Sequence, residues 1–75
     1  MAEIRAFKSA QEAIDQGFED GAEDKKNGFT SEQFARELRE AFKRLRDPGS
    51  PLYDDWRLGY AAGFNGLAKP PATSA

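Results

Sequence analysis

Trp56-Arg57-Leu58-Gly59-Tyr60-Ala61-Ala62-Gly63-Phe64-Asn65-Gly66 is the stretch that decides how this chain folds. Trp56, Tyr60, Phe64 and Leu67 recur at helical spacing, with Gly59 and Gly63 on the same side between the rings. A glycine inside a helix costs roughly 1 kcal/mol relative to alanine. Two of them on an apolar stripe are explained by close approach, since without a Cβ another backbone packs directly against that face. The pattern occurs twice. At an offset of 42, Ile14 falls on Trp56, Gly17 on Gly59, Phe18 on Tyr60 and Gly21 on Gly63. Each copy reads apolar-x-x-Gly-aromatic-x-x-Gly and offers a groove beside a ring. Two such faces can pack ring over glycine, inside one chain or between two. The plain reading is core packing; the alternative leaves part of the face exposed for docking.

Working outward, the 75 residues allow one small domain, which buries only about 60–65% of its unfolded surface. No cysteine is present to staple it, and no His/Cys set to hold a structural zinc. Six Phe, one Trp and two Tyr must therefore carry the core. Valine is absent, and only Ile4, Ile14, Thr30 and Thr73 are β-branched, which argues for helices and against a sheet. The net charge of −2 gives no general attraction to nucleic acid or anionic membranes. No apolar run approaches a transmembrane span, and the N-terminus lacks a signal-peptide core. A cytoplasmic protein with no membrane partner is the expectation.

The expected architecture is all-α, with three helices, the second crossing between the related first and third. Residues 1–68 form a single helical domain and 69–75 a flexible tail. The first helix is expected from about Glu3 to Asn27, with Ile4, Phe7, Ala10, Ile14, Gly17, Phe18, Gly21 and Ala22 on its apolar stripe. Asn27-Gly28 stops it. Thr30-Ser31-Glu32-Gln33 has capping-box spacing, with Thr30 as cap, Gln33 reaching back, and Phe29 and Phe34 placed as a hydrophobic staple. The second helix then runs to about Arg46, burying Phe34, Leu38, Ala41, Phe42 and Leu45. Pairs Glu32/Arg36, Arg36/Glu40 and Glu40/Arg44 support it. Asp47-Pro48-Gly49 ends it, and Ser50-Pro51 caps a third helix reaching about Ala68.

Catalysis finds little to work with. His and Cys, the commonest bases, nucleophiles and transition-metal ligands, are absent. The pairs Asp54/Asp55 and Glu23/Asp24 read as solvated helix positions. Lys25-Lys26-Asn27-Gly28-Phe29-Thr30-Ser31-Glu32 is no calcium loop: with Gly28 as the sixth residue, the third is Lys25 and the twelfth Phe34, where oxygen ligands are required. No enzyme, cofactor or metal is expected. What remains is a basic face on the second helix, Arg36, Arg39, Lys43, Arg44 and Arg46. Arg39, Lys43 and Arg46 form a column of like charges, mildly destabilising and so suggestive of an anionic partner. That partner is RNA, an acidic protein surface, or the acidic first helix itself; a solvated face is the bland alternative.

At Gly17, Phe18 and Gly21, then Trp56, Gly59, Tyr60 and Gly63 with Pro51-Leu52-Tyr53 before them, the chain resembles ribosome modulation factor and related small helical proteins of bacteria and phages. The match covers about a third of the chain. The resemblance implies a helical fold and, in its basic members, ribosomal RNA binding. This chain departs from that pattern in two ways. It is slightly acidic, with Glu19, Asp20, Glu23 and Asp24 beside the first element, and a whole extra helix separates the two elements. The expected function is non-enzymatic binding to a larger cytosolic complex, in the form of a phage-encoded inhibitor of a host or defence system. A ribosome-associated RNA binder and a homodimer joined by the glycine face are the alternatives.

Overall fold

Three helices, α1 (Ala10–Lys26), α2 (Glu32–Lys43) and α3 (Pro51–Phe64), make up the computed structural model. It describes residues 7–43 and 51–71, with Phe42, Lys43 and Pro51 as backbone alone. No strand occurs among the described residues. The expected extensions of the first helix over residues 3–6 and of the second over 44–46 lie outside them. So do the Asp47-Pro48-Gly49 stop, the Ser50 cap and the Glu40/Arg44 pair.

Each helix starts or stops where a side chain or glycine meets an orphaned backbone group. Ser9 caps α1: its Oγ accepts from the Glu12 N–H at 3.1 Å, and the Glu12 carboxylate accepts from the Lys8 N–H. This Ser-x-x-Glu cap, in which the glutamate reaches past Ser9 to the Lys8 N–H, and not the apolar stripe reaching back through Phe7, sets where α1 begins. α2 is capped by Ser31, whose Oγ accepts from the Phe34 N–H at 3.2 Å; the expected cap was Thr30. A cap serves the N–H three residues on, and moving it by one residue leaves Gln33 on the wrong position to reach back. Gln33 instead donates to Glu37 at 3.0 Å. The staple rings still meet, with the Phe29 and Phe34 centroids 6.2 Å apart.

α1 and α3 end alike. Gly28 (φ 102°) and Gly66 (φ 70°) take left-handed backbone. Gly28 N–H returns to the Lys25 carbonyl and Phe29 N–H to that of Asp24; Gly66 and Leu67 do the same to Gly63 and Ala62. These are paired Schellman closures. The second halts α3 at Phe64, short of the expected Ala68, and leaves Leu67 exposed instead of in the stripe.

The glycines set the packing. A Cβ on Gly17 would overlap the Trp56 carbonyl oxygen, on Gly21 that of Tyr60, on Gly59 that of Ile14, and on Gly63 that of Phe18. Rising numbers on α1 meet rising numbers on α3, so the two helices run parallel. Each glycine abuts the carbonyl three residues before its counterpart at the offset of 42, which gives the pair an approximate two-fold axis. Trp56, Tyr60 and Ile14 are wholly buried along it, with Ala13, Tyr53, Ala62 and Phe64 around them.

α2 lies across this pair, turned differently from expectation. Ala35 is its buried apolar residue, Leu38 is half-buried, and Phe34 (58% exposed) and Ala41 face outward. The face that an apolar count would bury is displaced because Arg39, one turn from Ala35, is itself drawn inward.

Candidate functional site

The inward pull on Arg39 comes from α1. Gly17, Asp20, Gly21 and Asp24 share one face of that helix at spacings of three and four. The glycines bring α3 close, and the two carboxylates beside them are covered: Asp20 is 7% exposed and Asp24 6%. α3 supplies a donor to each. Trp56 Nε1–H donates to Asp20 Oδ2 at 3.0 Å, and the Tyr60 hydroxyl donates to Asp24 Oδ2 at 2.5 Å. Gln16 on α1 donates to Asp20 Oδ1 at 3.0 Å.

Arg39 closes the cluster from above. Its Nε and Nη2 donate to the two oxygens of Asp24 at 3.0 and 2.6 Å, a bidentate pairing. Nη1 reaches Asp20 Oδ1 at 3.1 Å and Nη2 also reaches Glu23 at 3.2 Å. The Asp24 hydrogen bonds, outweighing burial, raise the guanidinium above its ordinary pKa, with Asp20 adding to them. Burial, then the bond to Asp24, pushes the Tyr60 phenol well above its ordinary 10.0. Burial, then a bond to Glu40 of α2, does the same to Tyr53. These interactions tie the three helices together.

Two carboxylates expected to be solvated are therefore inside. Asp24 is in the cluster, and Asp55 is 2% exposed, while their neighbours Glu23 and Asp54 are exposed as expected. The signal for Asp24 was legible in its place on the glycine stripe, three residues beyond Gly21; charge alone read as exposure. Asp55 carried a comparable signal, four residues before Gly59 on the glycine stripe of α3.

Of the basic face, Arg39 is occupied as described. Arg36 bridges Glu32 and Glu40 on its own helix at 3.2 Å each. The side chain of Lys43, and Arg44 and Arg46, lie outside the described residues. The packing residues Gly17, Gly21, Gly59 and Gly63 are brought together with Trp56 and Tyr60 in the α1–α3 seam. Phe18 is half-buried on the far flank, under the Lys69 ammonium 5.5 Å from its ring centroid. Lys69, expected in the tail, also pairs with Asp15 at 3.0 Å.

The outer surface has a different character. A groove of about 410 Å³ between α2 and α3 is lined by Glu32, Arg36, Asp54, Arg57 and Leu58. Leu58 is 48% exposed there, and Phe34 stands outward on α2. Among the described residues no set of three or more carboxylates is placed to hold a metal ion, and no helix is long and apolar enough to cross a membrane. The class that emerges is a small three-helix domain built on a glycine-packed parallel pair. Comparison with protein-family models, curated proteins and solved structures finds no match.

Proposed function

We propose that this chain is a non-enzymatic binding protein that docks on a larger cytoplasmic protein complex and modulates or inhibits it. The observation that carries this reading is where the charge goes. Arg39, at the head of the basic column, is spent on Asp20, Asp24 and Glu23, and Arg36 on Glu32 and Glu40, while Phe34 and Leu58 stay exposed. An RNA-binding face needs free cations to displace counterions from phosphates; an exposed leucine ringed by charge, as Leu58 is by Glu32, Arg36, Asp54 and Arg57, suits a protein partner. The four glycines, a candidate homodimer face, are filled within the chain. Following the resemblance to the phage and bacterial proteins, the form we favour is a phage-encoded inhibitor of a host or defence complex.

A tagged pull-down from bacterial lysate with mass spectrometry tests the proposal. One stoichiometric protein complex, lost on Leu58→Glu or Phe34→Glu while the thermal melt is kept, is the expected result. Recovery of ribosomal proteins and RNA, weakening steeply with salt, would replace this reading with the RNA-binding one.

A further inference from the structure

Both helices of the glycine-packed pair end on the same dipeptide, Asn27-Gly28 after α1 and Asn65-Gly66 after α3. Asparagine before glycine is the pairing in which a chain most readily modifies itself. The glycine has no Cβ to shield its nitrogen, and that nitrogen can close a five-membered ring on the asparagine side-chain carbon. Both asparagines are exposed, and both glycines stand in open space, with nothing within 4 Å of an added Cβ. The same backbone closure holds Gly28 N–H to Lys25 and Gly66 N–H to Gly63. The two ends differ in how the carboxamide is held. Asn65 Nδ2 donates to the Ala61 carbonyl at 2.8 Å, which draws that side chain back along α3 and away from Gly66. The Asn27 carboxamide has no such bond among the described residues. What is bonded there is backbone, the Asn27 N–H to Glu23 and Asp24, in an exposed stretch from Lys25 to Gly28 that opens at low cost.

We propose that Asn27 is a site of spontaneous deamidation through a succinimide, that Asn65 is its protected counterpart, and that the product loosens α2. When the end of α1 opens, the Gly28 nitrogen loses its proton to solvent and attacks Cγ of Asn27. The N–Cγ bond forms, the Cγ–Nδ2 bond breaks, and the side-chain nitrogen takes up a proton from water and leaves as ammonia. Water then opens the ring. Addition at Cγ gives an aspartate; addition at the backbone carbonyl gives an isoaspartate, whose main chain runs through the side-chain carboxyl and is one methylene longer. Water is the only co-reactant. The change falls in residues 27–31, which join α1 to the Ser31 cap of α2. There the Phe29 N–H bonds the Asp24 carbonyl at 3.3 Å and the Phe29 ring packs on Phe34. Asp24 is also the carboxylate that grips Arg39. A lengthened main chain, with a new anion at the negative end of the α1 dipole, disturbs both the closure of α1 and the seat of α2. The α1–α3 seam, made by backbone contacts at Gly17, Gly21, Gly59 and Gly63, is left intact. This assignment is independent of the docking surface at Leu58.

Ageing the intact chain in mildly alkaline buffer tests this. Trypsin separates the two sites, because cleavage after Lys26 and after Arg57 gives one peptide beginning at Asn27 and another beginning at Leu58. Mass spectrometry follows the replacement of the amide by a carboxyl in each, and an isoaspartate methyltransferase counts the isoaspartate. A parallel sample in urea gives the rates set by local sequence alone. The ratio of the Asn27 rate to the Asn65 rate should be roughly 2- to 12-fold larger in the folded chain than in urea, the factor that one hydrogen bond of about 0.5–1.5 kcal/mol on the Asn65 carboxamide supplies. The modified fraction, isolated by ion exchange, should show faster hydrogen exchange at the α2 amides than the unmodified chain, with the Gly59–Gly63 amides unchanged. An equal ratio in folded and unfolded chain, or faster conversion at Asn65, would overturn the assignment of the site. Unaltered exchange of α2 in the modified fraction would overturn its link to α2.

Discussion

At Gly63 the preference of a helix for alanine and the demands of packing point in opposite directions. Alanine is favoured over glycine inside a helix by about 1 kcal/mol. A Cβ there, however, would run into the Phe18 backbone oxygen, and one at Gly17 would meet Trp56's, with the Tyr60 nitrogen only 2.8 Å away. Backbone cannot swing aside as a flexible side chain does, so the two helices must separate. Gly63→Ala and Gly17→Ala should each lose about 3 kcal/mol or more in urea unfolding, beyond the usual overpacking cost. Gly28→Ala meets nothing within 4 Å and should lose only the roughly 1–2 kcal/mol of left-handed backbone. Tyr60 gives a second test at this scale. Its folded-state phenol is raised by burial and by Asp24, so the neutral form is the one the fold prefers. The stability it contributes is fully present below the unfolded value of 10.0 and is lost as pH rises above it. Urea midpoints should therefore fall above pH 10.0, and fall less steeply in Tyr60→Phe, which at neutral pH should already be about 1–3 kcal/mol less stable for the lost hydrogen bond to a carboxylate.

Among the elements, α2 is the one whose pattern misleads. Phe34, Ala41 and the charged positions suggest one buried face, yet Ala35 and Arg39 hold the inner side. The seam between α1 and α3 was legible because glycine beside an aromatic ring, repeated at helical spacing, weakens a helix unless a second backbone packs there. The orientation of α2 was not, because it depends on Asp20 and Asp24 being buried, and an acidic residue is normally taken as solvated. The polar tips of Trp56 and Tyr60 were the available clue: buried indole and phenol groups need an acceptor, and Asp20 and Asp24 lie on the stripe these rings face. Two contrasts follow for α2. Ser31→Ala should cost about 1 kcal/mol and Thr30→Ala next to nothing, since it is the Ser31 hydroxyl that accepts from the first turn of α2, at the Phe34 N–H. Arg39→Ala, which strands buried carboxylates, should cost about 3–5 kcal/mol. Arg36→Ala removes two pairs within one helix, each worth about 0.2–0.5 kcal/mol, and should cost less than about 1 kcal/mol. Chemical denaturation of the four variants ranks them.

The whole molecule is a nearly symmetric pair dressed asymmetrically. The two-fold relation of α1 and α3 makes Ile14 and Phe18 the counterparts of Trp56 and Tyr60, and Ala62 and Gly66 those of Asp20 and Asp24. On one flank the aromatic rings carry donors, the opposite positions carry carboxylates, and α2 docks through Arg39. On the other flank the groups are apolar, and Lys69 lies over Phe18 and pairs with Asp15. Repetition thus explains the seam, and the substitutions that break it explain which side takes the third helix. The two kinds of contact differ in reach: α1 and α3 meet backbone to backbone along their length, whereas α2 touches them through side chains. Native-state hydrogen exchange should show this as a hierarchy. Amides of α1 and α3 around Gly17–Gly21 and Gly59–Gly63 should exchange only through global unfolding, with the largest protection and the strongest dependence on denaturant. Amides of α2 between Ala35 and Arg39 should exchange through a smaller opening, at lower free energy and with a shallower denaturant slope. Equal protection in α2 and the seam would mean that the Arg39 cluster binds the three helices into one cooperative unit. In that case Arg39→Ala should unlock α2 alone, lowering its protection while the Gly59–Gly63 amides keep their rank.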